Sequence, residues 1–395
     1  MPSQPLDIAI LGGGLAGGLI ALALARLRPE LRLAVIERGP TFGGNHVWSC
    51  FASDVAEADR WLVDPLVEAE WPQYEVRFPG YARQLVTPYR SLNSERLDAA
   101  LREALPPEAL LCDTDVVSAT QTSVSLMGGR EIAAKAVIDA RGARTMPGMA
   151  GGWQKFVGQM LRLPAPHGLT HPVVMDATVE QIDGYRFVYC LPFGVHEVFV
   201  EDTYYSDTSD LDVPQLRARI AAYAQAQGWQ GAEVLREETG VLPVIAAGDF
   251  AAFWPKDAGE TARAGVRAAL VHPLTSYSLP DAVRLARHIA AQPDLSGAAL
   301  ARETRRHAAA HWRSQGFYRM LSRMLFGAAG PSERRSVLDR FYTLPAGLIE
   351  RFYAGRSTRA DTIRVLTGKP PVPIFAALAS LSGRGRPLAS LGEAA

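Results

Sequence analysis

The chain has 395 residues, 48% of them hydrophobic, with 41 Lys+Arg against 41 Asp+Glu. That length and apolar content suffice to bury one large core or two or three interlocked ones. Three widely spaced cysteines (Cys50, Cys112, Cys190) exclude a disulfide framework and a C-x-x-C metal pair. The zero net charge is unevenly spread: residues 301–395 hold 16 Lys+Arg and 6 Asp+Glu, leaving residues 1–300 with an excess of ten acids that would repel nucleic acid.

In chain order, Ile8-Ala9-Ile10-Leu11-Gly12-Gly13-Gly14-Leu15-Ala16-Gly17-Gly18 reads as an apolar strand, a glycine turn and a helix. Leu33-Ala34-Val35-Ile36 is the next strand, closed by Glu37. In such a βαβ unit Gly12 permits the tight turn, Gly14 admits a pyrophosphate and Gly17 lets helix and strand pack closely. The helix N-terminus offers N–H groups to phosphates, and Glu37 can accept from a ribose hydroxyl, so an adenine dinucleotide site is expected. Residues 8–25 are long and apolar enough for a membrane span, but residues 1–7 carry no Lys or Arg and do carry Asp7. The glycines within the run and the second strand favour the nucleotide fold. The expected location is the cytoplasm, with membrane contact from one side at most.

Further along, Thr41–Ser49 is a glycine-containing loop, and Asn93 or Ser94 caps a helix whose Leu97, Leu101 and Leu105 share a face. Ala136–Gly142 is another short buried strand with a turn. Residues 156–205 and 233–247 read as strands, and 281–326 and 333–366 as helices. The expected fold is therefore α/β (α+β): a Rossmann-like dinucleotide domain over 1–160 plus about 265–310, an inserted strand-rich domain over 161–264 with about 65–90, and a helical, basic region over 311–395. His167/His171 and His307/His311 have i,i+4 spacing but no H-E-x-x-H glutamate, so no metal is expected. Within the basic region His311–Phe326 reads as one amphipathic helix, with Phe317, Met320, Leu321 and Met324 on one face and Arg313, Arg319 and Arg323 off it. Such a helix either lies on anionic lipid or caps the core with its arginines in water.

Tyr185-Arg186-Phe187-Val188-Tyr189 puts three aromatics on one strand face, and Phe199, Glu201, Thr203 and Tyr205 share a face of the following strand, with Asp202 on the other. A hairpin closing with Leu191 opposite Glu197 sets Phe187 opposite Glu201 and Tyr189 opposite Phe199. Glu201 is then either an acid in an aromatic wall, protonated near neutrality, or an edge-strand acid paired with an arginine such as Arg186.

The glycine fingerprint, Gly43–Ser49, Met175-Asp176-Ala177-Thr178, Tyr185–Tyr189, Val200-Glu201-Asp202-Thr203 and His272-Pro273-Leu274-Thr275-Ser276-Tyr277-Ser278-Leu279-Pro280 together resemble the bacterial, flavoprotein-type lycopene β-cyclases, from residue 7 to about 378. The resemblance implies cyclisation of both ends of lycopene to give β-carotene, with no net redox change. It implies FAD, active when reduced, with NADPH or NADH as reductant, and lycopene as substrate. It implies Glu201 as the essential acid, Asp202 as a group that orients it, and Asp176 and Glu238 as further acidic positions. Flavin binding is implied for Gly12, Gly14, Gly17, Glu37 and Arg96 and for the loop carrying His272, Pro273 and Thr275. Peripheral contact with the inner membrane face and with other carotenoid-pathway enzymes is expected. Members of that family commonly carry Thr-Gly-Tyr where this chain has Thr275-Ser276-Tyr277; a positive φ there would cost Ser276 about 1–2 kcal/mol. A flavin monooxygenase, an isoprenoid double-bond reductase and a carotenoid-binding protein without activity are the alternatives.

Overall fold

The computed structural model describes residues 6–143, 145–256 and 261–392. Its first sheet is centred on Leu6–Leu11, with Leu33–Ile36 and Glu131–Asp139 parallel on either side; Leu11 lies opposite both Ile36 and Asp139. Leu110–Leu111 extends one edge, and the antiparallel strands Ser123–Leu126 and Val116–Ala119 extend the other. Ile8–Leu11 and Leu33–Ile36 are buried on both faces, which explains their unbroken apolar runs. Helices Leu15–Leu27 and Leu279–Ala290 cover the sheet through Leu19, Ile20, Val283 and Ile289. Asn93 caps helix Ser94–Ala104 by accepting the Arg96 N–H at 2.9 Å, and Leu97 and Leu101 are buried beneath it.

The second sheet runs in the order Glu233–Gly248, Met149–Arg162, Glu197–Ser206, Tyr185–Pro192, Val173–Asp176, Tyr74–Phe78, Tyr81–Leu85. Helix Val213–Ala226 packs on one of its faces over Val157, Val188, Val198 and Val200. The other face looks toward the glycine turn and the C-terminal helices. A small third sheet joins Val47–Phe51, Tyr89–Asn93 and Val67–Trp71.

The stretches 281–326 and 333–366 are helical but divided, into helices Leu279–Ala290, Gly297–Ser314 and Gly316–Gly327 and into Arg334–Phe341, Ala346–Tyr353 and Arg359–Leu366. Residues 311–326 do not form one helix: the chain breaks at Gln315, between helices Gly297–Ser314 and Gly316–Gly327. The second helix turns Tyr318, Ser322, Leu325 and Phe326 into the core, and Met320, Leu321 and Met324 line an apolar cavity between it and the later helices. The apolar face expected to meet either lipid or core is thus inward. Exposed apolar surface gathers instead on helices Arg359–Leu366 and Ile374–Leu381, at Ile363, Leu366, Ile374, Phe375 (87% exposed), Leu378 and Leu381. Among the described residues no helix is long and apolar enough to cross a membrane, and no cluster of His, Cys, Asp or Glu could hold a metal.

Candidate active site

Strand pairing builds one face of the second sheet from four chain segments. Tyr189 lies opposite Glu201, Phe187 opposite Thr203 and Leu191 opposite Phe199. This is two residues away from the register that alternation suggests, because the hairpin is closed by the N–H groups of Phe193 and Gly194, both donating to the Glu197 carbonyl. A two-residue slip preserves the face. The aromatic wall therefore forms: neighbouring rings of Tyr185, Phe187 and Tyr189 lie 5.1 and 5.2 Å apart. Met149–Arg162 adds Gln154 and Phe156, and Glu233–Gly248 adds Glu238 and Gly240, all lining one cavity of about 370 Å³.

Glu201 lines this cavity and is half-buried. Its Oε1 accepts the Thr203 hydroxyl at 2.5 Å. Burial, and then the neighbouring Glu238 carboxylate, push its pKa up to about 8, so at neutral pH it is mainly a protonated acid. The edge-strand reading fails: Glu201 sits on an interior strand, between Met149–Arg162 and Tyr185–Pro192. Arg186 does pair with an acid, but that acid is Asp202 on the opposite face, through Nε to Oδ1 at 2.9 Å and Nη2 to Oδ2 at 2.6 Å. Asp176 is also on that side, accepting from the Tyr223 hydroxyl at 2.8 Å and from Thr178 at 2.6 Å. Neither aspartate lines the cavity, because each is one residue out of phase with its inward face.

At its far end the cavity meets Gly14, Leu15 and Ala16 at the start of the fingerprint helix, and Gly142, Gly265 and Val266. A Cβ on Gly17 would stand 2.0 Å from the Gly12 carbonyl oxygen, whereas one on Gly14 would meet nothing within 4 Å. Gly17 thus serves the packing of the turn, and Gly14 leaves the open cradle. The first intrahelical bond runs from Gly18 to Gly14, so the N–H groups before it face this cradle. The Glu37 carboxylate accepts the N–H groups of Gly13 and Gly39 at 2.8 and 2.9 Å, which fixes it beside the turn. These residues fit an adenine dinucleotide. Arg96 does not reach the cradle: its guanidinium is half-exposed and held by Glu68 at 2.6 Å.

Of the loop residues His272, Pro273 and Thr275, only Thr275 lines the cavity. His272 folds the loop. Its Nδ1 accepts from the Thr275 N–H at 3.2 Å, its Nε2 lies 3.1 Å from the Phe352 carbonyl, and burial lowers its pKa to about 3 and keeps it neutral. The Pro273 carbonyl accepts the Ser322 hydroxyl at 3.1 Å. Ser276 takes φ +58° and holds it with its hydroxyl donating to the Pro243 carbonyl at 2.8 Å. Thr275 also lines a second, apolar cavity of about 320 Å³, bounded by Tyr185, Tyr205, Met320, Met324 and Phe352 and reaching Leu366, Ile374 and Leu378.

Sequence patterns miss His46, Trp48, Tyr89, Gln154 and Phe156 at this site, since non-local strand pairing brings them in. One signal was available. Glycines inside strands mark close approach, and the Phe199 and Phe156 rings lie over Gly158 and Gly240, where a Cβ would come within 2.3 and 2.2 Å of them.

The family model described as lycopene cyclase protein matches residues 7–379. The chain is 47% identical to a lycopene beta-cyclase of Pseudescherichia vulneris over 93% of its own length and 95% of that protein. It is 44% identical to a lycopene beta-cyclase of Pantoea ananas over 95% and 97%. Among solved structures, a flavin-dependent brominase superposes with a TM-score of 0.55 at 14% identity, covering 89% of this chain and 94% of that one, a likeness of fold alone. On the extent and identity of these matches, the chain belongs to the lycopene cyclase family.

Proposed function

We propose that this protein converts the acyclic polyene lycopene to β-carotene by acid-initiated cyclisation at each end, with Glu201 as the acid. The observation that carries the reading is a carboxyl group set among aromatic rings in a cavity that continues to a dinucleotide cradle. Glu201 Oε–H donates to the terminal double bond, the inner double bond closes on the tertiary cation, and the ring cation loses a proton. Trp48, Phe156, Tyr189, Phe199 and Tyr277 line the same space. Their ring faces stabilise a passing cation, and their bulk keeps out water that would capture it as an alcohol.

Gly12, Gly14 and Gly17, the helix N-terminus and Glu37 would hold FAD, and Thr275 lines the cavity that leads from that cradle; Arg96, committed to Glu68, is outside this set. When bound and reduced, by NADPH or NADH, FAD supplies negative charge beside the ring cation. Asp202, paired with Arg186 on the strand that carries Glu201, and Asp176, bonded to Tyr223 and Thr178, serve the opposite face of the sheet rather than touching substrate.

The substrate is an insoluble hydrocarbon, and the apolar second cavity opens among Leu366, Ile374 and Leu378, beside exposed Phe375 and Ile363. Arg359, Arg364, Lys369 and Arg384 are exposed around this patch. That pattern suits a surface laid on an anionic bilayer, from which lycopene enters toward Thr275.

The test is anaerobic incubation with lycopene in liposomes, FAD and a reductant, followed by chromatography and mass analysis. A product of unchanged mass that co-elutes with β-carotene, absent when flavin stays oxidised, is expected. Unconverted lycopene despite bound, reduced flavin would overturn the reading. In a parallel aerobic incubation, substrate-coupled O₂ uptake would indicate a monooxygenase; a gain of mass would indicate a reductase.

A further inference from the structure

On the central strand Met149–Arg162, Gly158 lies opposite Glu201 on one side and opposite Glu238 on the other. Directly opposed residues in antiparallel ladders project to the same face, so both carboxyl groups stand on the cavity side, two strand spacings or about 10 Å apart at Cα. Between them Gly158 has no side chain, and the Phe199 ring occupies the space above it. Both glutamates line the cavity.

The two acids are held differently. Glu201 receives one hydroxyl, from Thr203. Glu238, 2% exposed, has its Oε2 fixed by the Val47 N–H at 2.9 Å and by His46 Nδ1 at 3.3 Å. Its Oε1 is buried and has no hydrogen-bond partner among the described residues. A carboxylate oxygen stripped of both water and donors has nothing to satisfy its charge except an incoming proton.

Cyclisation without net redox has a matching requirement. Each ring closure takes one proton in and must release one, and the acid must be recharged before the second end reacts. Resting on the functional reading above, we propose that Glu238 is the base of this reaction. Glu201 gives its proton to the terminal carbon, and the carbon–carbon bond of the ring forms. The C–H bond next to the ring cation then breaks, its electron pair forms the ring double bond, and its proton goes to Glu238 Oε1. Transfer of that proton from Glu238 to the Glu201 carboxylate restores both groups, so nothing is consumed. His46, with its side chain 45% exposed, is a positioning residue that holds Oε2 and with it the orientation of the carboxyl group.

Glu238→Gln is isosteric and keeps an acceptor for the Val47 N–H. It is expected to bind flavin like the parent protein and to lose β-carotene formation by about 10²–10⁴-fold at every pH. The residual product should include rings with a displaced double bond or a hydroxyl group, from cations that found no base. Glu238→Asp, which keeps a carboxylate, should still make only β-rings, more slowly. Glu238→Gln making β-carotene within threefold of the parent rate would overturn the proposal. So would recovery of the parent rate at lower pH, which would mean that Glu238 only tunes Glu201. If both variants lose flavin, the carboxylate is structural and the proposal also falls. None of these outcomes touches the cyclase reading, which fails only if the parent protein itself leaves lycopene unconverted.

Discussion

Glu201 and Asp202 are consecutive in sequence, yet their carboxyl groups emerge on opposite faces of the same sheet. Glu201 faces the aromatic cavity, and Asp202 is closed in a two-point pair with Arg186 at 2.6–3.0 Å. Their substitutions should therefore fail in different ways. Glu201→Gln should lower cyclisation by about 10²–10⁴-fold while flavin binding stays near the parent value and the unfolding midpoint at neutral pH is not lowered. Asp202→Ala leaves the Arg186 charge buried and unpaired, and should cost about 3–5 kcal/mol of stability. Denaturant unfolding and turnover per folded molecule separate the two.

The protonated state of Glu201 makes activity pH-dependent with a definite sign. Turnover should fall as pH rises through about 8, where the acid ionises. Stability should respond in the same direction. Between the unfolded pKa of about 4.3 and the folded value, the native state holds a proton that the unfolded chain has lost, so stability declines with rising pH across that window and levels off above it. Glu201→Gln should flatten this slope, measured as unfolding midpoint against pH.

Ser276 stands at φ +58°, with a hydrogen bond from its hydroxyl to the Pro243 carbonyl. Ser276→Gly relieves the left-handed strain, about 1–2 kcal/mol, but removes a bond worth about 1 kcal/mol. The net change should stay within about 1 kcal/mol. Ser276→Val keeps the strain, loses the bond and puts a branched side chain in a buried loop, so it should destabilise the protein by at least about 2 kcal/mol and weaken flavin binding. Thermal unfolding and flavin titration of the three proteins check this.

The apolar patch at the C-terminal helices predicts a separable defect. Phe375→Glu with Leu378→Glu should reduce co-sedimentation with anionic vesicles and raise the apparent KM for vesicle-borne lycopene. Turnover of lycopene supplied in detergent should be nearly unchanged. Equal losses with both substrate forms would assign the patch a structural role.

Order that depends on neighbours along the chain is legible in the residues themselves. The strand, glycine turn, helix and Glu37 form a local unit whose geometry is dictated by where Cβ atoms are missing. Alternation with period two was enough to put Glu201 with the aromatic rings and Asp202 away from them, and it survived a two-residue slip in register because such a slip keeps the face. Tertiary structure alone decided which distant segments share that face. The pairing of Gly158 with both Glu201 and Glu238 depends on three strands meeting, and no local pattern encodes a partner. Packing likewise broke the 311–326 pattern at Gln315 and turned its methionines inward, leaving the exposed apolar surface to later helices. Periodicity specifies that a face is apolar; only the assembled neighbours specify whether protein, substrate or lipid covers it.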